Sequence, residues 1–421
     1  MKKRIVMTCF GSFGDVNPYM GLALGLRQRG YATTIATSEY YRSVVEREQI
    51  EFHAVRPDVE PQNGELLRRV MDAKRGTEVI LRELLFPAIR DSYADLVTVA
   101  DGADLLISHP VAFAGPLVAE KLKLRWISTV LAPISFFSAH DLPVFPVFPQ
   151  AVVLRKLGLP VTRWLTGMAK RMTRGWSDPL RRLRTELGLP PGKDPIFEGQ
   201  FSSRLTLALF SRLLAKPQPD WPPHVRVTGH VFYDRSISGD GLTPELTRFL
   251  DAGPAPVVFT LGSSAVGAAG NFYQVSLEAV RRLGCRAILM IGDHDQNRPR
   301  EPIPETVAIT SRAPFSLLFP RAAAIVHQGG VGTTAQALQS GHPMLVVPFA
   351  HDQPDNAFRV KNLGVARILY PRQYRAAKVV EELKRLLGNS HYARQARKVA
   401  DEVRAEDGLG QACTEIEKFL N

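Results

Sequence analysis

Short apolar and β-branched runs recur along the chain. Each is followed by a polar or glycine-bearing loop and then by apolar residues at helical spacing. Such runs predict strands buried in a parallel sheet, and the periodic stretches predict helices packed on its faces. Strands are expected at Arg4–Cys9, Thr33–Ala36, Leu105–Ser108, Trp126–Leu131 and Leu205–Phe210, then at Val257–Leu261, Ala287–Ile291, Ala323–Val326 and Met344–Val347. The first helix is expected to run from Pro18 to about Arg29, with Asn17 as its N-cap. Further helices are expected over Ala112–Leu122, Phe272–Leu283, Thr333 to Gly341, from Pro354 onward, and over Ala377–Leu387, Tyr392–Arg404 and Gly408–Leu420. Both halves share one strand–helix alternation, which predicts an α/β chain with two doubly wound domains. The Pro-rich segment Ala215–Pro223 and the polar, Gly-bearing Val231–Gly241 place the boundary, giving domains 1–230 and 231–404 and a terminal helix in 405–421. Asn63–Gly76 is a polar stretch within the first domain.

The densest candidate chemistry lies in residues 323–364. After Ala323–Val326 comes the loop HQGGVG, where Gly329, Gly330 and Gly332 permit close backbone approach. The helix that Thr333 opens aims its first N–H groups and its positive dipole end at the same place. Thr333 and Thr334 add hydroxyls, and His327 at the strand tip can donate to a phosphate oxygen. The second loop ends in Asp352 and Gln353, an acceptor and a mixed donor–acceptor suited to sugar hydroxyls. The pair of loops therefore reads as a site for a diphosphate carrying a sugar.

These residues, His327–Gly332, Gly341–Pro343 and Asp352–Gln353, resemble the donor-binding box of nucleotide-sugar-dependent glycosyltransferases with the GT-B fold. That fold consists of two doubly wound Rossmann-like domains with an interdomain cleft. The resemblance implies that the N-terminal domain binds the acceptor and the C-terminal domain binds the nucleotide sugar. It also implies that the last helix crosses back to the first domain. Ser263 and Ser264, after Val257–Leu261, correspond to the turn that approaches the donor phosphate. Arg312-Ala313-Pro314 stands where plant relatives carry Trp-Ala-Pro-Gln against uracil. A guanidinium also stacks on a base, so both UDP- and dTDP-hexoses fit as donors. Gln336 stands at or beside a ribose-binding Glu of the plant members.

In the first loop, GSFGDVNP, Asp15 lies beside a helix N-terminus that favours its ionised form. GxxG without a following acidic strand end makes a nicotinamide dinucleotide site a poor reading. The segment resembles bacterial members of the same family that glycosylate lipids, sterols and glycopeptides. By that correspondence Asp15 takes the place of a plant His and acts as general base in an inverting transfer. An Asp that only caps the helix is the alternative. His109 follows Leu105–Ser108 and so falls on the same sheet edge, where it could assist Asp15.

The loop PISFFSAHDLPVFPVFPQ is held irregular by Pro133, Pro143, Pro146 and Pro149. Phe136, Phe137, His140, Phe145 and Phe148, with Phe13 near Asp15, are candidates for the wall of a hydrophobic acceptor site. A loop folded on its own aromatics is the alternative. The stretch from Ser128 to Pro146, the later Pro-Asp-Trp segment and Thr228-Gly229 resemble the rhamnosyltransferase of rhamnolipid synthesis.

Composition narrows the rest. Of 421 residues, 45% are hydrophobic and 22% charged, as in a soluble globular protein. No apolar run reaches membrane-spanning length and no signal-peptide pattern is present, which fits a cytoplasmic protein, with peripheral membrane contact as a further option. Cys9, Cys285 and Cys413 form neither a disulfide framework nor a zinc motif. Asp293-His294-Asp295 has the DxD spacing of metal-using transferases, but the loop grammar favours a metal-independent site with no tightly bound cofactor. The net charge is +12, and residues 151–190 hold nine Lys or Arg against Asp178 and Glu186. Trp164, Leu165, Met168, Met172 and Trp176 interleave with those cations. Such a helix can lie on an anionic membrane, or it can pack against the fold with a solvated basic face. No nucleic-acid-binding motif accompanies the charge. The function expected is transfer of a hexose to a hydrophobic small-molecule or lipid hydroxyl. A nucleotide-sugar epimerase of the same fold and a non-catalytic nucleotide-sugar-binding protein are the alternatives.

Overall fold

The computed structural model describes residues 2–59, 64–234 and 241–421. They divide into two compact units. The first comprises the described residues of Met1–Pro61, Arg75–Tyr233 and Glu406–Asn421, and the second those of Gln62–Lys74 and Asp234–Ala405.

The first unit is built on a parallel sheet of seven strands. These are β1 (Arg4–Thr8), β2 (Ala32–Thr37), β3 (Glu51–Ala54), β4 (Leu105–Ser108), β5 (Arg125–Val130), β6 (Thr206–Ala208) and β7 (Val225–Val227). Their spatial order is β3-β2-β1-β4-β5-β6-β7. Val6 pairs with Thr34 on one side and Leu106 on the other, and all three are fully buried. The second unit holds β8 (Val257–Thr260), β9 (Ala287–Met290), β10 (Val307–Thr310), β11 (Ala324–His327), β12 (Met344–Val346) and β13 (Ala366–Ile368). Their order is β10-β9-β8-β11-β12-β13, again all parallel. In each sheet the chain first winds to one side of a central strand, β1 or β8, and then to the other. The switch points therefore fall between β1 and β4 and between β8 and β11, where ligands of doubly wound sheets collect at the strands' carboxyl ends.

Two segments depart from sequence order. The terminal helix Gly408–Leu420 packs in the first unit, with Leu409 and Cys413 close against Gly25 of the helix Phe13–Gln28. A Cβ at Gly25 would lie 2.9 Å from Leu409 Cδ1, so only glycine permits that approach. An Arg29–Glu417 ion pair and a bond from Lys3 Nζ to the Leu420 carbonyl fasten the helix further. Conversely, 64–74, assigned to the first domain from sequence, belongs with the second unit. Asn63 itself lies outside the described residues, as do 235–240 of the expected linker. Residues Gly64–Val70 form a helix, Met71 is buried in the second unit's core, and the His351 ring donates to the Val70 carbonyl. No helix among the described residues is long and apolar enough to cross a membrane.

Candidate functional site

At the first switch point, the sequence places the helix start wrongly. The N-cap is Ser12 and not Asn17, the helix spans Phe13–Gln28, and Pro18 lies inside it. Ser12 and Asp15 form a capping box: Asp15 Oδ2 accepts the Ser12 N–H at 2.8 Å and faces its hydroxyl at 3.2 Å. The carboxylate folds back over Gly11, whose φ is +140°. A Cβ there would sit 2.2 Å from Asp15 Oδ2. Gly11→Ala is therefore expected to displace the carboxylate and strain the turn, costing about 1–3 kcal/mol. Thermal unfolding and initial transfer rate, measured together, check this, and a variant unchanged in both would refute it.

Capping uses one oxygen of Asp15. The other, Oδ1, faces His109 Nε2 at 3.7 Å. His109 follows β4, its N–H bonded to the Thr8 carbonyl, and its Nδ1 accepts the Val111 N–H at 3.4 Å. That leaves the ring hydrogen on Nε2, aimed at Asp15. The separation is too long for a direct bond, yet an oxygen about 2.8 Å from both atoms fits beside the gap. Burial pushes Asp15 up to about 6 and His109 down to about 3, so the imidazole is neutral near pH 7 and the pair is no ion pair.

The aromatic candidates separate. Phe13 is half-buried, edge-on to Tyr40 and Tyr41. Phe136 is core and not a wall: it is 5% exposed and stacks on Trp221 at 4.0 Å. Phe137 packs on Phe197, with Phe145 stacked beyond it at 6.5 Å. His140 and Phe148 are exposed. The Pro-Asp-Trp segment explains this ordering. Asp220 accepts from the Ser138 hydroxyl and the Ala139 N–H, while Trp221 covers Phe136. The loop is thus partly folded on its own aromatics.

At the second switch point three loops meet. Gly262, at φ +61°, follows β8, and a Cβ there would reach 2.3 Å from Gln328 Nε2 and 3.0 Å from Thr333 Oγ1. Ser263 and Ser264 extend this turn, Ser263 exposed and Ser264 half-buried. After β11, Gly329 (φ +88°) abuts the Gln353 carbonyl, and Gly330 caps the helix Val331–Ser340. Gly332 lies in its first turn, followed by buried Thr333 and Thr334. His327 is fully buried; its Nδ1 accepts the Gly329 N–H at 3.1 Å, so Nε2 carries the hydrogen and has no partner. Burial pushes this ring down to about 3, so it is a neutral donor. Thr334 Oγ1 and Gln336 Oε1 are likewise buried without partners.

In the third loop Gln353 Oε1 is consumed by the Phe349 and Ala350 N–H groups, which leaves only its amide N–H groups for a ligand. Asp352 Oδ2 accepts from Asn356 Nδ2 at 2.7 Å, and the same amide bonds the Gly329 carbonyl at 2.9 Å. Asn356 thus ties two loops together. Sequence reasoning passed over it and Gln328. The available signal for Asn356 was its position one helical turn after Asp352. Arg312 is paired at 2.5 Å with Asp293, the exposed first Asp of the DxD sequence. Ala313 lies half-buried beside it.

Residues 5–133 match the glycosyltransferase family 28 N-terminal domain, and residues 274–417 match the erythromycin biosynthesis protein CIII-like C-terminal domain. The O-mycaminosyltylonolide 6-deoxyallosyltransferase of Streptomyces fradiae is 30% identical over 99% of this chain and 97% of its own. The sterol 3-beta-glucosyltransferase of Yarrowia lipolytica is 27% identical over 100% of this chain, which spans 29% of that longer protein. Among solved structures, the glycosyltransferase of kitacinnamycin superposes with a TM-score of 0.71 at 21% identity, covering 100% of both chains. The glycosyltransferase VinC, solved in complex with dTDP, does so at 0.68 and 19% over 99% of both. The chain belongs to the glycosyltransferases of GT-B fold.

Proposed function

We propose that this enzyme transfers a hexose from a UDP- or dTDP-activated donor to a hydroxyl of a hydrophobic small molecule or lipid, with inversion. The observation that carries the reading is the free Asp15 Oδ1 opposite the His109 Nε2–H, 3.7 Å away. An acceptor hydroxyl placed between them donates its hydrogen to Asp15 and accepts from His109. As the oxygen bonds to the anomeric carbon, its proton passes to Asp15, and the bond from that carbon to the diphosphate oxygen breaks. His109 is a positioning donor, because its neutral ring already carries hydrogen on the facing nitrogen. In the second unit the N–H groups opening Val331–Ser340, with the His327 Nε2–H, receive the charge growing on the departing diphosphate. No metal enters this scheme. Ser263, Ser264, Thr333 and Thr334 add donors around the phosphates, Arg312 and Ala313 flank the base, and Asp352 with the Gln353 amide takes the sugar.

The acid limb of activity is set by Asp15 and the donor site does not titrate near neutrality, since His327 is neutral there. The acceptor preference follows from the aromatic surroundings of Asp15 and from relatives that act on O-mycaminosyltylonolide and on sterols by name. Nucleoside diphosphate release is the test, with UDP- and dTDP-hexoses supplied alongside phenols, macrolide aglycones, sterols and hydroxyacyl lipids. Release that requires an acceptor and yields a glycoside of inverted configuration is expected. Sugar conversion or release without acceptor would move the chemistry to epimerisation or hydrolysis.

A further inference from the structure

Among the described residues, nine large hydrophobic side chains are substantially exposed, and seven fall between positions 147 and 172: Val147, Phe148, Val153, Leu157, Trp164, Met168 and Met172. The other two, Leu317 and Leu387, are isolated in sequence. A cluster of this kind marks a surface that meets something. The helix Leu159–Thr173 contributes a single buried residue, Thr162. Leu165 and Ala169 are half-buried, Ala169 against the first unit's core, so the packed reading holds for that face, whereas Trp164, Met168 and Met172 are turned away from it. Trp164 is 64% and Met172 73% exposed, and with Met168 they repeat every fourth residue along one row. Arg163 and Arg171 stand one position before Trp164 and Met172, so the cations border the apolar row.

The charge around the row has one sign. From Leu142 to Ser177 the chain has no Asp or Glu, but it has Arg155, Lys156, Arg163, Lys170, Arg171 and Arg174. Arg155 is engaged by Asp141 and Lys170 by Glu198. Lys156, Arg163, Arg171 and Arg174 have no carboxylate partner among the described residues. Elsewhere, Arg42, Arg56, Arg90, Arg281 and Arg385 are ion-paired while exposed Arg298, Arg300, Arg372 and Arg375 have no carboxylate partner among the described residues, so what sets this face apart is the lack of any acid in its own stretch. A second copy of this chain docking face to face would set these cations against one another with no acid between them. An anionic lipid surface instead pairs with each cation and takes the apolar row into its headgroup boundary, while the long basic side chains reach back to the phosphates.

We propose that this face, centred on Trp164, Met168 and Met172 and flanked by Arg163 and Arg171, docks the enzyme peripherally on anionic membranes. The proposal stands apart from the transfer chemistry, because its readout needs neither donor nor acceptor. The test is co-sedimentation of the full chain with phosphatidylglycerol vesicles, with phosphatidylcholine vesicles as reference, at low and high salt. Binding to the anionic vesicles that weakens with salt is expected. Each basic residue near such a surface contributes about fivefold in partitioning, so Arg163→Glu with Arg171→Glu is expected to weaken binding about 25-fold or more. Trp164→Ser with Met168→Ser is expected to weaken it as well. Because these side chains are exposed, unfolding temperature and transfer to a soluble acceptor are expected to be unchanged in both variants. No anionic preference, or binding unaffected by either pair, would overturn the proposal. Concentration-dependent self-association abolished by the same variants, without vesicle binding, would assign the face to a second copy instead.

Discussion

Asp15→Asn is expected to lower kcat/KM for acceptor transfer at least about a hundredfold, the usual minimum for losing a general base. Asparagine is the informative replacement. Its amide oxygen can still accept the Ser12 N–H that Asp15 Oδ2 takes at 2.8 Å, so the helix cap and the fold survive. What disappears is the ability to hold the acceptor's proton. The pH profile separates the two roles. A base must be ionised to act, and burial raises Asp15 to about 6. The wild-type rate is therefore full above that value and falls about tenfold per pH unit below it. Neither His109 nor His327 supplies a competing step, because burial holds both down to about 3. Initial rates of wild type and variant across the acid range, with donor KM followed in parallel, check all of this. An acid limb that persists unchanged in Asp15→Asn would remove the carboxylate from the chemistry and leave it a helix cap.

His109 enters the same experiment differently. Its Nδ1 is occupied by the Val111 N–H, so the ring cannot take a proton at the nitrogen that faces Asp15. Removing it should alter acceptor KM more than the position of the acid limb. Asp15 comes from the first turn of the helix after β1 and His109 from the loop after β4, the pair of strands at the switch point of the first sheet.

What was legible in the sequence follows from burial. The nine expected strands are all present, and they are interior strands of the two sheets. The four that were missed, β3, β7, β10 and β13, are the four sheet edges. Their faces are only partly covered, so Glu51, Arg226 and Arg367 interrupt the apolar pattern that identifies a strand. The glycine-rich loop was legible because its chemistry is local: strand, turn and helix N-terminus adjoin in sequence. The helix start at Ser12 was misjudged because Asn17-Pro18 carries a stronger generic cap signal than Ser12, and only the fold-back of Asp15 over Gly11 shows which cap is used. Phe136 was misplaced for a similar reason. Its burial depends on Trp221, which is distant in sequence, and no local pattern reports that contact. Asn356 bonding the Gly329 carbonyl is a tertiary contact of the same kind.

The second large effect is expected at His327. The ring is fully buried, its Nδ1 is spent on the Gly329 N–H at 3.1 Å, and its Nε2–H has no partner. A buried donor left unsatisfied costs about 1–3 kcal/mol, a cost offset when an anionic oxygen accepts from it. His327→Phe keeps a ring in the space but removes that donor. It is expected to lower kcat by about 10²–10³, as the loss of one preorganised donor to a developing oxyanion does. The affinity for free nucleoside diphosphate should fall too, read by calorimetry and by a smaller thermal shift when dTDP or UDP is added. A role confined to supporting the loop gives the opposite signature. The variant melts earlier without ligand in either case, since the Gly329 N–H loses its acceptor, but with a role confined to the loop nucleotide would still bind and stabilise it normally. Because the ring is neutral well below pH 7, the wild-type affinity attributable to it should stay flat where Asp15 titrates. A diphosphate affinity that rises steeply as pH falls through about 6 would show that a protonated group, and not the His327 N–H, holds the leaving group.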